Sequence, residues 1–316
     1  MNRWLIWVVL AVVAASAAFI AMRMSDRTAT APGPMPGARP DSGAAARARA
    51  GVQEPCIVEE SVALPDELRE TSGIARAADG SLWTHNDGNE ARLYRVSESG
   101  AVEQRIAIDG AGATDVEDID AAPCPDGTGE CLWLADIGDN DARRADVALL
   151  VVAVPAAGAE RARASRIGLR YPSGPRDAEA LAALPSGGAL IFSKGRDAPI
   201  ELFRVATHDT AGADRVAERV AGLAAEPSSS RRRVTGAGAT PDGSHIAVRT
   251  SEELRIHRTD RLVAGDTAPA LRFDLRPLRE SQGEGVDIAA DGRVWLTSEG
   301  ERGTPTLARL RCVLPE

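Results

Sequence analysis

The stretch from Asp115 to Asn140, DVEDIDAAPCPDGTGECLWLADIGDN, gathers the side chains best suited to chemistry. It reads as an acidic strand, a Pro-Asp-Gly turn between two cysteines, and an apolar strand ending in more acids. Two strands joined by a turn run antiparallel, so Asp115 and Glu117 are expected at the same end of the hairpin as Asp136, Asp139 and Asn140. Carboxylates crowded in this way repel one another unless water, a basic group or a cation intervenes. Oxygen donors of this kind suit a hard cation, calcium first. The run DIGDN lacks the twelve-residue spacing and closing Glu of an EF-hand loop.

The hairpin belongs to a unit that recurs five times. Ser72-Gly73-Ile74, Glu117-Asp118-Ile119, Glu179-Ala180-Leu181, Thr235-Gly236-Ala237 and Glu284-Gly285-Val286 each sit in a short strand. The turn signals Asp79-Gly80, Asp126-Gly127, Ser186-Gly187, Asp242-Gly243 and Asp291-Gly292 follow, each leading into an apolar strand. The unit starts lie 45, 62, 56 and 49 residues apart, room for four strands each. Such a period without helical periodicity predicts an all-β fold, a β-propeller of five four-stranded blades; six blades with one unrecognised unit, or a β-sandwich, are the rivals. The Ala213–Ala225 stretch is the best helical candidate and is as easily an outer strand with a loop.

In a propeller the first strand of each unit lines the channel, and the ends of the second strands reach the same rim. That geometry predicts an acidic ring with a few cations. The metal ligands expected are Glu117, Asp136, Glu284, Asn86 and Asp139; the catalytic groups are Lys194, Glu179 and His85; Arg249, Asp87 and Asn140 would hold substrate. The competing view is that the acids only solvate the mouth and satisfy backbone N–H groups. Trp83, Trp133 and Trp295 occupy matching places in three units and are expected to pack between sheets. His208, His245 and His257 are expected on the surface or in structural roles, and Arg231-Arg232-Arg233 in a solvated loop from which Arg233 could reach the rim.

The chain has 316 residues and a formal charge of −9. Residues 1–53 hold six Arg against Asp26 and Asp41, leaving 31 basic and 44 acidic residues, a net of −13, for 54–316. A domain so acidic argues against nucleic acid as a partner. Every Lys or Arg but one is Arg, a bias that genome composition can produce, and the lone Lys194 is a candidate for a specific ammonium role. Trp4 to Met22 is an apolar run flanked by Arg3 and Arg23, long enough to cross a bilayer, so residues 1–24 read as an uncleaved membrane anchor or a signal peptide of an exported protein. Residues 25–53 read as a flexible Ala/Pro/Arg-rich tether, and 54–316 as the propeller. Four cysteines in an exported chain suggest two disulfides. Cys124 and Cys131 would staple one hairpin, while Cys56 and Cys312 would lock the ring where its ends meet, one of three possible connectivities.

As a set, ETSGI at 70–74, WTHND at 83–87, DVEDID at 115–120, DIGDN at 136–140, DAEAL at 177–181, VTGAGATPDG at 234–243, AVRT at 247–250 and QGEGVDI at 282–288 resemble exported bacterial β-propellers whose reactions are mostly unassigned. These are distantly similar to phytase-like, esterase-type propellers and to calcium-dependent lactonases of the gluconolactonase type. The phytase-like similarity implies calcium and phosphoester hydrolysis, although that group crowds Lys and Arg around phosphate and this rim reads as mostly acidic. The lactonase similarity implies one metal held by Glu, Asn and Asp, for which Glu284, Asn86 and Asp136 could serve. The expectation is a metal-dependent hydrolase of a small ester or phosphoester, or a lactonase; the alternative is a propeller that binds a ligand or an envelope protein without chemistry.

Overall fold

A computed structural model describes residues 54–206, 215–300 and 302–316. The expected anchor and tether, and His208, lie outside these; among the described residues no helix is long and apolar enough to cross a membrane. The chain opens with β1 (Cys56–Ala63) and then builds five blades. Blade 1 is β2 (Thr71–Arg76), β3 (Leu82–Asn86), β4 (Arg92–Val96) and β5 (Val102–Asp109). Blade 2 is β6 (Val116–Pro123), β7 (Glu130–Asp136), β8 (Val147–Ala153) and, after the short β9 (Arg161–Arg163), β10 (Ser165–Arg170). Blade 3 is β11 (Ala178–Ala183), β12 (Ala189–Ser193), β13 (Glu201–Val205) and, after β14 (Arg215–Val216), β15 (Glu218–Gly222). Blade 4 is β16 (Val234–Ala239), β17 (His245–Thr250), β18 (Glu253–Arg258) and β19 (Leu271–Asp274). Blade 5 is β20 (Gln282–Ile288), β21 (Arg293–Glu299) and β22 (Thr306–Cys312), completed by β1.

The ring is thus five blades, closed by pairing the first strand with the last. Cys56 faces Cys312 in that pairing and is bonded to it; Cys124 is bonded to Cys131 across the turn of blade 2. Strands β9 and β14 add in parallel to the outer edges of blades 1 and 2. From residue 215 onward, the helical candidate Ala213–Ala225 forms outer strands.

Local chemistry explains why the units fold as they do. Gly80, Gly127, Gly187, Gly243 and Gly292 at the turn signals all have φ between 70° and 92°, a backbone state that glycine enters without steric cost. Beside four of them, Asp79, Asp126, Asp242 and Asp291 accept the backbone N–H two residues on, at 2.8–3.1 Å. Central strands such as VALLVVA of β8 are buried on both faces, because each blade is sandwiched between two others. Five apolar clusters fill the five gaps. Trp83 packs with Leu132 and Leu150 between blades 1 and 2, Trp133 with Ile191 and Phe203 between blades 2 and 3, and Trp295 with Ile74 and Tyr94 between blades 5 and 1. The tryptophans are inter-blade packing, as their matched positions predict.

Candidate active site

The five first strands, β2, β6, β11, β16 and β20, contact one another in a ring around the axis. Each also slips register against its second strand, between Thr71/Ile74, Val116/Asp118, Ala178/Ala180, Val234/Gly236 and Gly283/Val286. The bulged residues are therefore Ser72-Gly73, Glu117, Glu179, Thr235 and Glu284-Gly285, the polar start of every repeat. A bulge breaks simple alternation and re-aims a side chain, often beside an active site.

Three of these residues form the acidic mouth. Glu117, Glu179 and Glu284 are only 5%, 4% and 5% exposed. Lys194 Nζ, on the loop after β12, donates to Glu179 Oε1, and its charge also draws down Asp87, Asp115, Glu117 and Glu284. One ammonium does not offset so many acids. Burial, then neighbouring Glu179 and Asp87, push the Glu117 carboxyl well up; burial, then Glu179 and Glu299, do the same for Glu284. Burial lifts Glu179 to about 7 against the pull of Lys194, and desolvation with Asp115 lifts Asp87 to about 6.

Asp87, Asp115 and Glu117 each offer an oxygen within 4.8 Å of the other two. Ligands of one calcium ion, at about 2.3–2.6 Å from it, lie no more than about 5 Å apart, so these three carboxylates fit that ion. The Glu117 carboxylate makes no hydrogen bond among the described residues. Gly138 of DIGDN closes the back of the group, where a Cβ would collide with both the Glu117 and the Asp115 carboxylates. Asp87, expected on substrate, belongs to this trio, and Asp115 joins it.

Several expected site residues are engaged elsewhere. Asp136 is fully buried: Oδ1 accepts from Thr114 N, Asp115 N and Arg144 Nη2 at 2.9–3.0 Å, and Oδ2 from Arg166 Nη1 at 3.0 Å. Four donors leave it no role as a metal ligand. Asp139 accepts the Arg143 and Arg144 N–H groups at 2.8 and 2.7 Å and so holds its own loop. Asn140 is tied to Arg196, which also meets Asp177 at 3.5 Å. Asn86 Nδ2 donates to Glu67 O at 2.8 Å, and its buried Oδ1 makes no hydrogen bond.

Arg249 is 0% exposed and cannot meet substrate. Its Nη1 donates to Gly285 O and Thr297 O at 2.9 and 2.7 Å, and its Nη2 to Glu280. His85 is 1% exposed. Its Nδ1 donates to Asn86 O at 2.9 Å while its buried Nε2 makes no hydrogen bond among the described residues, and burial lowers it to about 4, leaving a neutral imidazole. His245 and His257 are buried in blade 4, away from any acidic group of the mouth in their hydrogen bonding.

Sequence reasoning missed the axis itself. Below the mouth, the inner edges of the first strands present N–H groups without a strand partner. Asp118 Oδ2 accepts from Leu181 N and Ala237 N at 2.8 and 3.0 Å; Asp120 Oδ2 repeats this one tier down with Ala183 N and Ala239 N at 2.8 and 3.2 Å. Asp287, the blade 5 counterpart of Asp120, accepts from Arg76 N at 2.8 Å. For these acids the backbone-satisfying reading holds. The signal was present as Asp two residues apart in DVEDID and as the Asp of EGVD. The partners of Asp136 and Arg249 (Arg144, Arg166 and Glu280) come from outside the repeated strand pair and carried no such signal.

The mouth is not acidic all round. A cleft of about 790 Å³ opens from Glu179, Lys194 and Glu284 toward blades 4 and 5, and is lined by Arg231, Arg233, Arg276, Arg279 and Arg302. The expectation of a mostly acidic rim is correct for the side of blades 1 and 2 and reversed on this side, because the arginines stand on loops outside the repeated motifs.

The chain matches no protein-family profile and no curated protein sequence. Among solved structures it is similar to the PQQ-bound aldose sugar dehydrogenase of Streptomyces coelicolor, at 13% identity and a TM-score of 0.51 over 81% of this chain and 97% of that one. A gluconolactonase of Xanthomonas campestris matches at 15% identity and a TM-score of 0.42 over 77% of this chain and 72% of that one. The calcium-binding protein regucalcin of Agrobacterium tumefaciens matches at 12% and 0.42 over 77% and 78%. The first likeness supports the β-propeller fold alone, and at such identity no chemistry passes from these proteins to this chain.

Proposed function

We propose that this propeller is a metal-dependent hydrolase of a small ester, lactone or phosphoester, with calcium held at the mouth by Asp87, Asp115 and Glu117. The observation that carries the reading is that trio: three carboxylates spaced for one cation, one of them buried without a hydrogen bond, backed by a glycine that leaves room for them. A bound calcium would supply Lewis-acid polarisation of a carbonyl or phosphoryl oxygen. Glu179, raised to about 7 by burial, is the general base: it accepts a proton from attacking water near neutral pH. Lys194 fixes one oxygen of that carboxylate, leaving the other for water, and balances the charge of the group. Two disulfides fit an oxidising compartment, which supports an exported location.

The test is turnover of a panel of aryl esters, lactones and phosphomonoesters by the full-length protein with calcium and with chelator. Hydrolysis that needs calcium and falls at least about 100-fold in Glu179→Gln, the usual scale of a lost general base, is expected. Turnover that survives both chelator and Glu179→Gln would contradict the assignment.

A further inference from the structure

We propose that the arginine-walled cleft beside the mouth binds the fixed negative charge of the substrate, an oxyanion group of carboxylate or phosphate type set apart from the bond that is cut. The proposal rests on the hydrolase reading above and names its substrate class: an anionic ester, with the charged end on Arg233, Arg279 and Arg302 and the reacting end at Glu179 and Lys194.

The first support is unpaired charge. Among the described residues Arg233, Arg279 and Arg302 form no salt bridge with a carboxylate; others, such as Arg170 and Arg204, share that state, but these three line one cleft. Three of the four glutamates lining the cleft are paired, Glu179 with Lys194, Glu252 3.3 Å from Arg231, and Glu280 with the buried Arg249; Glu284, at the mouth end, forms no salt bridge among the described residues. Arg233 is half-buried, and its guanidinium, which has no carboxylate partner among the described residues, can take an oxyanion as acceptor.

The second support is the backbone at Arg279. It caps the single turn Arg276–Leu278 in the left-handed region, φ 56° and ψ 33°. Folding alone favours glycine or asparagine at such a position, and an arginine there costs about 1 kcal/mol. Strain held at a cleft wall points to use of the side chain. The cleft's volume, about 790 Å³, suits a small molecule. A guanidinium wall meeting a Glu–Lys floor therefore matches a ligand that is anionic at one end and uncharged at the other.

The test is calorimetric titration of the full-length protein with inorganic phosphate and, separately, acetate, at constant ionic strength in chelator, for the wild type, Arg279→Gly and Arg302→Gln. The expected result is oxyanion binding by the wild type that weakens at least tenfold in both variants, while Arg279→Gly unfolds at the same or a higher temperature because glycine relieves the left-handed cap. The tighter of the two probes assigns phosphate or carboxylate. No binding of either probe, or binding unchanged in both variants, overturns the proposal. Exposed Arg302 keeps the test decisive if Arg279→Gly folds poorly. A calcium response without oxyanion binding would remove this site and leave the hydrolase reading; oxyanion binding without a calcium response would do the reverse.

Discussion

Single residues at the mouth divide by what already satisfies them. The Glu117 carboxylate has neighbours of its own sign and no hydrogen bond among the described residues, whereas Asp136 has two guanidiniums and two backbone donors. Both look alike in sequence, as acids at strand ends. The repeat made Glu117, Glu179 and Glu284 legible because each begins a unit; Arg144, Arg166 and Glu280 were not, because loops place Arg144 and Glu280 and the outer strand β10 places Arg166. Buried Asp287 offers a test of how burial acts on one carboxyl. Its pKa is raised from 3.8 to about 7, so the folded protein favours the protonated form. The resulting contribution to stability is complete below pH 3.8 and is lost as pH climbs through 7. Asp287→Asn, which keeps an acceptor for Arg76 N, should therefore gain on the wild type between pH 4 and pH 7 by at least about 1.4 kcal/mol, the worth of one pKa unit. Urea unfolding of both proteins across that range checks it, and parallel pH profiles would count against the account.

Elements explain why alternation misplaced some side chains. Residues two apart on a regular strand share a face, but every first strand bulges at the polar start of its unit, and the rule fails there. The turns were readable because Asp-Gly has a local mechanism, and the bulges were not because no composition marks them. On β3, where regular pairing runs from Leu82 to Thr84, alternation holds and Trp83 packs between blades 1 and 2. The DIGDN loop after β7 acts through its middle residue: Gly138 makes space for the Asp115 and Glu117 carboxylates. In Gly138→Ala the added methyl should displace them and weaken calcium binding at least tenfold, about 1.4 kcal/mol. Calcium titration calorimetry reads this, and unaltered affinity would mean that the ion binds elsewhere.

Across the whole molecule, the period near fifty made the ring legible, and the cysteine positions indicated its closure. Lys194 and Arg233 were legible as cations of the rim, but the extent of its positive side was not, since Arg276, Arg279 and Arg302 come from loops far apart in sequence. Closure joins residues 256 apart, while the hairpin disulfide spans 7. On the chain-entropy view, replacing both Cys56 and Cys312 by Ser should cost about 5.5 kcal/mol and replacing Cys124 and Cys131 about 2.5, a difference that denaturant unfolding of the two double variants would expose; equal losses would contradict it. The most direct measurement of the central claim is thermal unfolding of the full-length protein, disulfides intact, with calcium and with chelator. Calcium at a hundred times its dissociation constant adds about 2.7 kcal/mol to the folded state. The account predicts a rise in midpoint that disappears in Glu117→Gln and persists in Asp136→Asn, even though the latter unfolds more easily. No rise with calcium, or a rise that survives Glu117→Gln, would contradict it.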